Sequence, residues 1–424
     1  MICPKTKETV DSDEIISPHV ERKNAAYFVL AVSMTYLAAP VTYVGVVQAA
    51  LCDQLGASAT LSNLPSVLFV FGGIAPLFLS SIVPYRLERM ISAISAATMA
   101  MAFGLLAALL IAPISTPAKI AAVIGQSSIV GVLSVVGQVY LFQCLKRGTT
   151  ENGRARALKL TYAIGPLAAV AGSLLAQSLM EGRSDSWDNL GSYVTLYLVG
   201  VPCLLIAAAA ISKLQLVDVK EEVSARTSSY LVESLRALLQ SRPMLLLCCA
   251  YFANNAALGV LPNLSLHLPR ATGFPREEWV GYGMALQFGF KSASGYLYGA
   301  LAEKHGARLT LQMLQVPLFL ISCWALLING TAYIFVFALV GAAQLSGIYF
   351  PNYCLALSSN ATGARNLSLL MIISSLAGLS SSSHGTMNDL LGAWASFCLS
   401  GVCAAVALRL VSKLPRYPQR EQRR

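Results

Sequence analysis

Residues 286–308 read LQFGFKSASGYLYGALAEKHGAR, an apolar stretch that contains one lysine, Lys291, and ends in a charged, glycine-bearing turn. Apolar runs of this kind recur along the 424 residues, of which 56% are hydrophobic and only 12% charged. A soluble domain carries about twice that charged fraction, and a helix needs about 20 mostly apolar residues to cross a bilayer. The sequence therefore predicts an all-α membrane protein.

Twelve apolar runs are long enough to be transmembrane helices. They lie at 25–49, 62–84, 90–112, 119–145, 158–180, 191–212, 243–264, 278–301, 309–328, 332–357, 366–386 and 390–412. One long polar segment separates the first six from the last six, an arrangement known from transporters built of two parallel repeats. The chain thus divides into a tail (1–23), a six-helix bundle (24–212), a linker (213–242), a second six-helix bundle (243–412) and a basic tail (413–424).

The distribution of basic residues predicts the orientation. If the N-terminus is cytoplasmic, 24 of the 30 Lys and Arg residues fall in cytoplasmic segments and only four in extracellular ones. Because short cytoplasmic loops carry an excess of Lys and Arg, both termini and the linker are predicted to be cytoplasmic. We expect the plasma (inner) membrane. The net charge of +10 then lies where it contacts anionic lipid headgroups, and a nucleic-acid partner is not predicted.

Several functional classes find no support in the sequence. The ten cysteines form no CxxC pair and no Cys/His group with the spacing of a zinc site. No GxxxxGK[ST] pattern is present, so direct drive by ATP is not expected. The spans hold no nucleophile–base set of an enzyme. We therefore predict a protein that is not an enzyme and has no metal or cofactor, and we expect a monomer.

The turn that ends the opening stretch carries a recognisable motif. Its glycines, acid and basic residues are Gly299, Glu303, Lys304, Gly306 and Arg308. This segment resembles the motif G-x-L-x-D-R-x-G-R-R, which follows helices 2 and 8 in the major facilitator superfamily of secondary transporters. The resemblance implies a cytoplasmic gate in which Gly299 allows close helix packing and Gly306 a tight turn.

Two partial matches accompany this motif. The corresponding loop of the first half keeps basic residues at Arg86 and Arg89, but Tyr85 replaces the acid, and Glu88 is the candidate substitute. In span five, GPLAAVAG (165–172) resembles part of the helix-5 motif of antiporters in this superfamily. Gly165 and Pro166 there predict either a kink with a small-residue packing face or a weak bias toward exchange.

Lys291 occupies the middle of the eighth predicted span. It lies ten residues, or about 15 Å, from the end of that span, which places it near the bilayer midplane. Gln287, Ser294 and Tyr298 share its helical face, whereas Phe288, Ala293 and Leu297 are apolar or small and are expected on the opposite side. A charge facing lipid would cost several kcal/mol, so Lys291 is predicted to face the protein interior.

Other spans carry polar residues at a similar depth. The superfamily fold places helices 1, 7 and 10 around a central cavity with helix 8 beside it, so these residues are expected to converge with Lys291. The candidate substrate-binding residues are Lys291, Gln287, Asn254, Asn255, Gln344, Asn352 and Tyr36. Each amide could equally form a hydrogen bond between helices, and Lys291 could donate hydrogen bonds to backbone carbonyls.

We therefore expect a secondary active or facilitative transporter that moves a small solute by alternating access. An interior cation without a visible acidic partner favours an organic anion. A coupling ion or counter-substrate stays open, as does proton exchange by Lys291 itself. A lipid or lysolipid translocator and a non-transporting membrane receptor are the alternatives on the same fold, since a fold does not determine a substrate.

Overall fold

The computed structural model describes residues 17–43, 45–75, 85–181, 190–216, 241–275, 279–357 and 363–415, and all regular structure in these ranges is helical. The first half holds α1 (Pro18–Leu37), α2 (Ala39–Thr42), α3 (Val47–Gln54), α4 (Ala59–Phe71), α5 (Glu88–Ile111), α6 (Thr116–Gly148), α7 (Glu151–Glu181) and α8 (Leu190–Ser212). The second half holds α9 (Arg242–Leu258), α10 (Leu261–Thr272), α11 (Val280–His305), α12 (Ala307–Leu327), α13 (Phe335–Ala343), α14 (Ser346–Leu357), α15 (Gly363–Ala377), α16 (Ser380–Leu391) and α17 (Ala393–Ser412). Short 3-10 turns occupy Gly72–Ile74, Tyr85–Leu87 and Thr331–Ile334.

Local sequence signals account for several helix ends. Ser17 and Ser58 cap α1 and α4, because their hydroxyls accept hydrogen bonds from backbone N–H groups of the first turn. Prolines stand at the start of α1, α6, α9 and α10, where a missing N–H costs nothing. Gly306 ends α11 with φ +87°, the left-handed region that favours glycine, which confirms the predicted tight turn.

Seven helical segments in the described ranges are long and apolar enough to cross a membrane. They are Glu88–Ile111, Thr116–Leu145, Leu190–Ser212, Arg242–Thr272, Ala307–Leu327, Thr331–Cys354 and Ala393–Ser412, with shorter apolar helices at Ala59–Ile74 and Ile164–Leu179. Part of the second predicted span (76–84) and most of the linker (217–240) lie outside the described residues. Twelve spans and the orientation of the termini remain predictions.

We call the helices before residue 213 the first bundle and those after residue 242 the second bundle, and the two groups contact each other at one face. There the end of α7 packs on the start of α11, with Gly281 N–H donating to Gln177 Oε1 at 2.7 Å, and the end of α16 packs on the start of α4. We call this the far face. The opposite side is the terminal face, where α1 begins and α17 ends. Arg308 there donates to the backbone oxygen of Ser412, which joins the α11–α12 turn to the end of α17.

Several helical segments break near the middle of the bundles rather than running straight through. The first breaks between α2 and α3, where Gly45 has φ +151°, and others break between α9 and α10, α13 and α14, and α15 and α16. Gln48 bridges the first break, since its side chain donates to Val41 O at 2.9 Å and accepts from Gly45 N–H at 3.3 Å. Broken helices leave backbone polar groups in the interior, and in transporters they surround binding sites.

Candidate functional site

The polar stripe predicted on the eighth span is present as one interior face of α11. Gln287 is 1% exposed and Ser294 8%, whereas Leu297 on the other side is 65% exposed. Lys291 and Tyr298 are half-buried on the same face as Gln287. A 3.6-residue period places these four positions on one side of the helix, so the apolar side faces outward.

Lys291 connects the two bundles. Its Nζ donates to Tyr43 Oη at 3.1 Å and lies 5.2 Å from the centre of the Tyr43 ring. Tyr43 follows α2 at the break in the first bundle, and Lys291 is the middle of α11 in the second. The contact combines a hydrogen bond with a cation–π interaction, both of which gain strength away from water.

Aromatic rings enclose this contact, and one of them corrects the sequence interpretation. Phe288 is fully buried, and the rings of Tyr36 and Tyr43 meet it edge-on with centroids at 6.3 and 5.3 Å. The prediction that Phe288 faces away from the stripe is therefore wrong. Residue 288 lies about 100° from residue 287 on a helix, which is close enough to the interior face for a large ring to pack there.

Tyr36 is positioned by the start of the partial helix-5 motif. A Cβ on Gly165 would lie 2.8 Å from the Tyr36 ring, so only glycine leaves room for the tyrosine at this height. Pro166 lies inside α7, which continues from Glu151 to Glu181. The local structure thus assigns a packing role to Gly165.

The three predicted carboxamides Asn254, Gln287 and Gln344 share one property, and we call them the carboxamide set. Asn254 is fully buried and its Nδ2 donates to Ser346 Oγ at 2.8 Å. The carbonyl oxygens Asn254 Oδ1, Gln287 Oε1 and Gln344 Oε1 are buried, and in the described part of the chain each lacks a hydrogen-bond partner. Buried acceptors without a donor are uncommon and call for an explanation.

Backbone contact between α11 and α13 fixes the heights of two members of this set. A Cβ on Gly341 would lie 1.9 Å from the Gln287 backbone oxygen, so the two helices touch there. The helices run in the same direction, as the second contact between Tyr349 Oη and Gly295 O shows. Gln344 follows Gly341 by about one turn, as Lys291 follows Gln287.

The third member lies at nearly the same height. Ser346, the partner of Asn254, comes two residues after Gln344 at the start of α14. A rise of about 1.5 Å per residue keeps Lys291 and the carboxamide set within about two helical turns of one another. The structure thus brings four of the predicted site residues into one layer.

Two other predicted residues do not join this layer through a described contact. Asn255 bonds its own helix, since its Nδ2 donates to Tyr251 O at 2.8 Å. Asn352 is exposed on α14, closer to the terminal face. Their assignment as substrate contacts remains a prediction.

The structure of the motif at the end of α11 differs from the prediction in the packing around Gly299. Lys304 is exposed and Arg308 bonds Ser412 O, while the Glu303 side chain lies outside the described part of the structure. A Cβ on Gly299 would meet the Tyr349 hydroxyl at 3.7 Å, an ordinary contact. The expectation that Gly299 is needed for close helix packing is therefore wrong, and Gly341 has that role at the interior layer.

The partial motif of the first half contains an ion pair. Glu88 is 3% exposed and accepts from Arg147 Nη1 at 2.9 Å. Arg89 donates to Leu214 O at 2.7 Å, whereas Arg86 is exposed. Glu88 thus supplies an acid close to the position that Tyr85 occupies, although its partner Arg147 lies at the end of α6.

Sequence reasoning missed the polar contacts that close the far face. The Asp389 carboxylate at the end of α16 accepts from the N–H groups of Ala59 and Thr60 at 2.8 Å each and from Thr60 Oγ1 at 2.5 Å. Burial alone would raise the Asp389 pKa, but the hydrogen bonds from Thr60, Ala59 and Ser58 together hold this pKa below its ordinary value. The carboxylate thereby caps the N-terminus of α4 from the other bundle.

A second chain of hydrogen bonds crosses between the bundles below this cap. Asn63 Nδ2 donates to Asn263 Oδ1 at 2.8 Å, and Asn263 Nδ2 donates to Ser396 Oγ and to His384 O, also at 2.8 Å. The His384 ring nitrogens lie 3.0 Å from Ser396 Oγ and 2.9 Å from Ala256 O. The run LSSSSHG (379–385) was the available signal, but its partners lie on other helices.

A groove of about 560 Å³ lies on the outer side of α11. Its lining is almost entirely apolar and includes Trp279, Tyr282, Phe290 and Ile334. Tyr282 and Phe290 are exposed on the outer surface of α11, whereas Gln287 faces the interior, so the groove is separate from the interior layer. Among the described residues, no cluster of His, Cys, Asp or Glu could hold a metal ion.

The whole chain resembles solved structures of transporters. The nucleoside transporter NupG matches with a TM-score of 0.67 at 12% identity, covering 93% of this chain and 98% of its own. The E. coli fucose:proton symporter FucP gives 0.60 at 13%, covering 94% and 99%, and a D-xylose–proton symporter gives 0.67 at 11%, covering 94% and 97%. The chain has the fold of the major facilitator superfamily. With its seven membrane-capable helices, it is an integral, multi-pass membrane protein.

Neither a protein-family model nor a curated protein matches the sequence. The major facilitator fold therefore rests on backbone geometry rather than on sequence identity. That fold agrees with the resemblance drawn from the motif at residues 299–308.

Proposed function

We propose that the protein is a secondary transporter that moves a small organic anion across the plasma membrane by alternating access between two bundles of six spans. The observation that carries this proposal is the position of Lys291. It is a cation in the interior of the second bundle that reaches across to Tyr43 of the first. The fold supports a transport function, and the positive charge of Lys291 supports an anionic solute.

A carboxylate or phosphate group is the natural partner for this lysine. Hydrogen bonds between an ammonium and a carboxylate or phosphate are stronger than those to a neutral hydroxyl, and the difference grows away from water. An incoming anion would replace the Tyr43 hydroxyl as acceptor. Because that hydrogen bond joins the bundles, binding the anion would change the contact between them, which is what alternating access requires.

The described conformation corresponds to closure of one side. The Asp389 cap on α4 and the Asn63–Asn263 contact hold the far face shut. The excess of basic residues assigns the terminal face to the cytoplasm, so the closed side would be extracellular. Transport would require these far-face contacts to break as the bundles rock.

A neutral solute with several hydroxyl groups is the second candidate. The carboxamide set offers hydrogen-bonding groups without charge, and the solved neighbours are named as carriers of nucleosides, fucose and xylose. Two of those neighbours are named as proton symporters, which makes the proton the first coupling ion to test. Fold similarity by itself does not transfer either property.

Ligand-dependent thermal stability tests the proposed charge of the solute. The purified protein would be screened against organic anions, neutral sugars, amino acids, cationic drugs and lysolipids, because a ligand that binds the folded state raises the Tm. Lys119→Gln is the control, because Lys119 lies at the far face, where its Nζ donates to Leu110 O. We expect anions to raise the Tm of the parent and of Lys119→Gln but not that of Lys291→Gln. Equal anion responses in all three proteins, or a response to lysolipids alone, would contradict the proposal.

A further inference from the structure

The unpartnered oxygens of the carboxamide set narrow the chemistry of the solute. We propose that the substrate is a hydroxylated organic anion, an acid whose carbon chain carries several hydroxyl groups. This inference rests on the function proposed above and adds a requirement to it. Lys291 recognises the acid group, and Asn254, Gln287 and Gln344 recognise hydroxyl groups.

The carbonyl oxygens of the carboxamide set are buried without a described donor, so a ligand that enters this layer as the bundles move would meet acceptors that need one. Asn254 is fully buried, Gln287 is 1% exposed, and the carbonyl oxygen of each, like that of Gln344, has no partner among the described residues. Such an oxygen is stabilised by any ligand that brings a donor to it. Three acceptors in one layer favour a ligand with several donors.

A hydroxyl group suits these amides better than an ammonium group does. The two ends of a carboxamide are nearly indistinguishable in shape, so each amide can present either its oxygen or its NH₂ to a ligand. A hydroxyl satisfies both orientations because it donates and accepts. An ammonium group only donates, and Lys291 in the same layer would repel it.

The acid-binding and hydroxyl-binding groups lie at a shared height. Gln287 lies one turn from Lys291 on the same face of α11, and the contact at Gly341 brings Gln344 to the same layer. The layer extends over about two helical turns, or about 11 Å. An extended six-carbon acid fits within this span, and the long side chains of Lys291, Gln287 and Gln344 cover the remaining distance to its carboxylate and hydroxyls.

Three six-carbon ligands separate the two requirements. Gluconate carries a carboxylate and hydroxyls, hexanoate only the carboxylate, and sorbitol only hydroxyls. We would titrate each into the purified full-length protein at constant ionic strength and obtain Kd from the rise in Tm. We expect gluconate to bind at least about tenfold more tightly than either of the others, since a lost charge or lost hydrogen bonds each cost about that factor.

Each alternative result overturns a different statement. Equal affinity for gluconate and hexanoate would reject the role of the hydroxyls and leave the anion transporter intact. Equal affinity for gluconate and sorbitol would reject the proposed anion itself. If none of the three binds while other anions stabilise the parent through Lys291, the hydroxylated class is wrong and the proposed function stands.

A matched pair of variants tests the carboxamide set directly. Gln287→Met removes the amide at nearly constant volume, and Gln344→Met does the same at the end of α13 if the first variant is unstable. Gln315→Met is the control, because Gln315 on α12 is also fully buried with an unpartnered Oε1 but is not part of the layer. We expect Gln287→Met to raise the Kd for gluconate about tenfold and to leave the Kd for hexanoate unchanged. Gln315→Met should have the same Kd for each ligand as the parent. Equal effects of both substitutions on gluconate would overturn the proposal.

Discussion

Glu88 and Arg147 show how a single residue can preserve a contact when a motif has degenerated. The first-half loop has Tyr85 where the superfamily motif has an acid, yet Glu88 lies three residues later and pairs with Arg147 at 2.9 Å. Both side chains are mostly buried, at 4% and 11% exposure. Removing one member of a buried ion pair leaves the other charge without compensation, which is usually worse than removing both.

Glu88→Gln is therefore expected to lower the free energy of unfolding by about 3 kcal/mol, because Arg147 stays charged and buried. The double variant Glu88→Gln/Arg147→Met should recover a large part of that loss. Thermal unfolding of the purified variants measures both effects. A Tm for Glu88→Gln equal to that of the parent would show that the pair is solvated and contributes little.

At the residue scale, the sequence identifies polar side chains that interrupt an apolar run, and their role as substrate contacts stays a prediction. Lys291, Gln287, Asn254 and Gln344 were visible for that reason, and the structure places them in one layer. Their partners could not be predicted in the same way. Tyr43, which bonds Lys291, lies 248 residues earlier in the chain, and no local pattern connects the two.

At the scale of elements, glycines determine how closely the helices of the site approach one another. Gly341 allows α13 to touch the backbone of α11, since a Cβ there would lie 1.9 Å from Gln287 O. Gly289 lies two residues after Gln287 on the outer side of α11, and a Cβ added there would meet no atom within 4 Å. The two positions therefore predict opposite effects of the same substitution.

Gly341→Ala should push α11 and α13 apart, at a cost of about 2 kcal/mol of stability, and should weaken ligand binding by separating Gln287 from Gln344. Gly289→Ala should raise stability by about 0.5–1 kcal/mol, because alanine loses less backbone entropy in a helix. Thermal unfolding without gluconate measures the change in stability of each variant, and the shift in Tm on adding gluconate measures ligand binding. Loss of stability in Gly289→Ala, or none in Gly341→Ala, would contradict the packing described for these helices.

The hydropathy of the sequence predicts long apolar helices but not the breaks within them. The start of α9 at Arg242, one residue before the expected Pro243, and the turn at Gly306 follow from proline and glycine chemistry. The interruptions between α2 and α3 and at Gln344 leave the apolar run intact, so a sliding measure of hydrophobicity does not register them. Packing between the bundles stabilises such breaks. This packing leaves no periodic pattern in the sequence.

For the whole molecule, the far-face contacts are the interactions that must break if the two bundles rock as the proposed transport mechanism requires. The Asp389 cap joins the two bundles through three hydrogen bonds to Ala59 and Thr60. Because the Asp389 pKa is held below its ordinary value of 3.8 in the closed state, its stabilisation is fully present above pH 3.8. It is lost as the pH falls through the lowered value.

Asp389→Ala should therefore open the far face at pH 7, and acid should open the parent only below about pH 4. Spin labels at Leu61 and Leu390, exposed on α4 and α16, would report the separation by double electron–electron resonance after replacement of the reactive cysteines, among them the exposed Cys249 and Cys398. We expect a longer distance in Asp389→Ala and no further change with pH. Identical distance distributions in the variant and the parent at pH 7 would show that the cap does not hold the face closed.

Uptake by proteoliposomes tests the central claim most directly, namely that Lys291 selects a hydroxylated organic anion for transport. Vesicles containing the parent or Lys291→Gln would be offered a mixture of small acids, sugars and amino acids, and mass spectrometry would identify what accumulates inside. We predict that gluconate-like acids accumulate with the parent and stay at background with Lys291→Gln. Accumulation of neutral solutes alone, or of the same acids in both preparations, would contradict this claim.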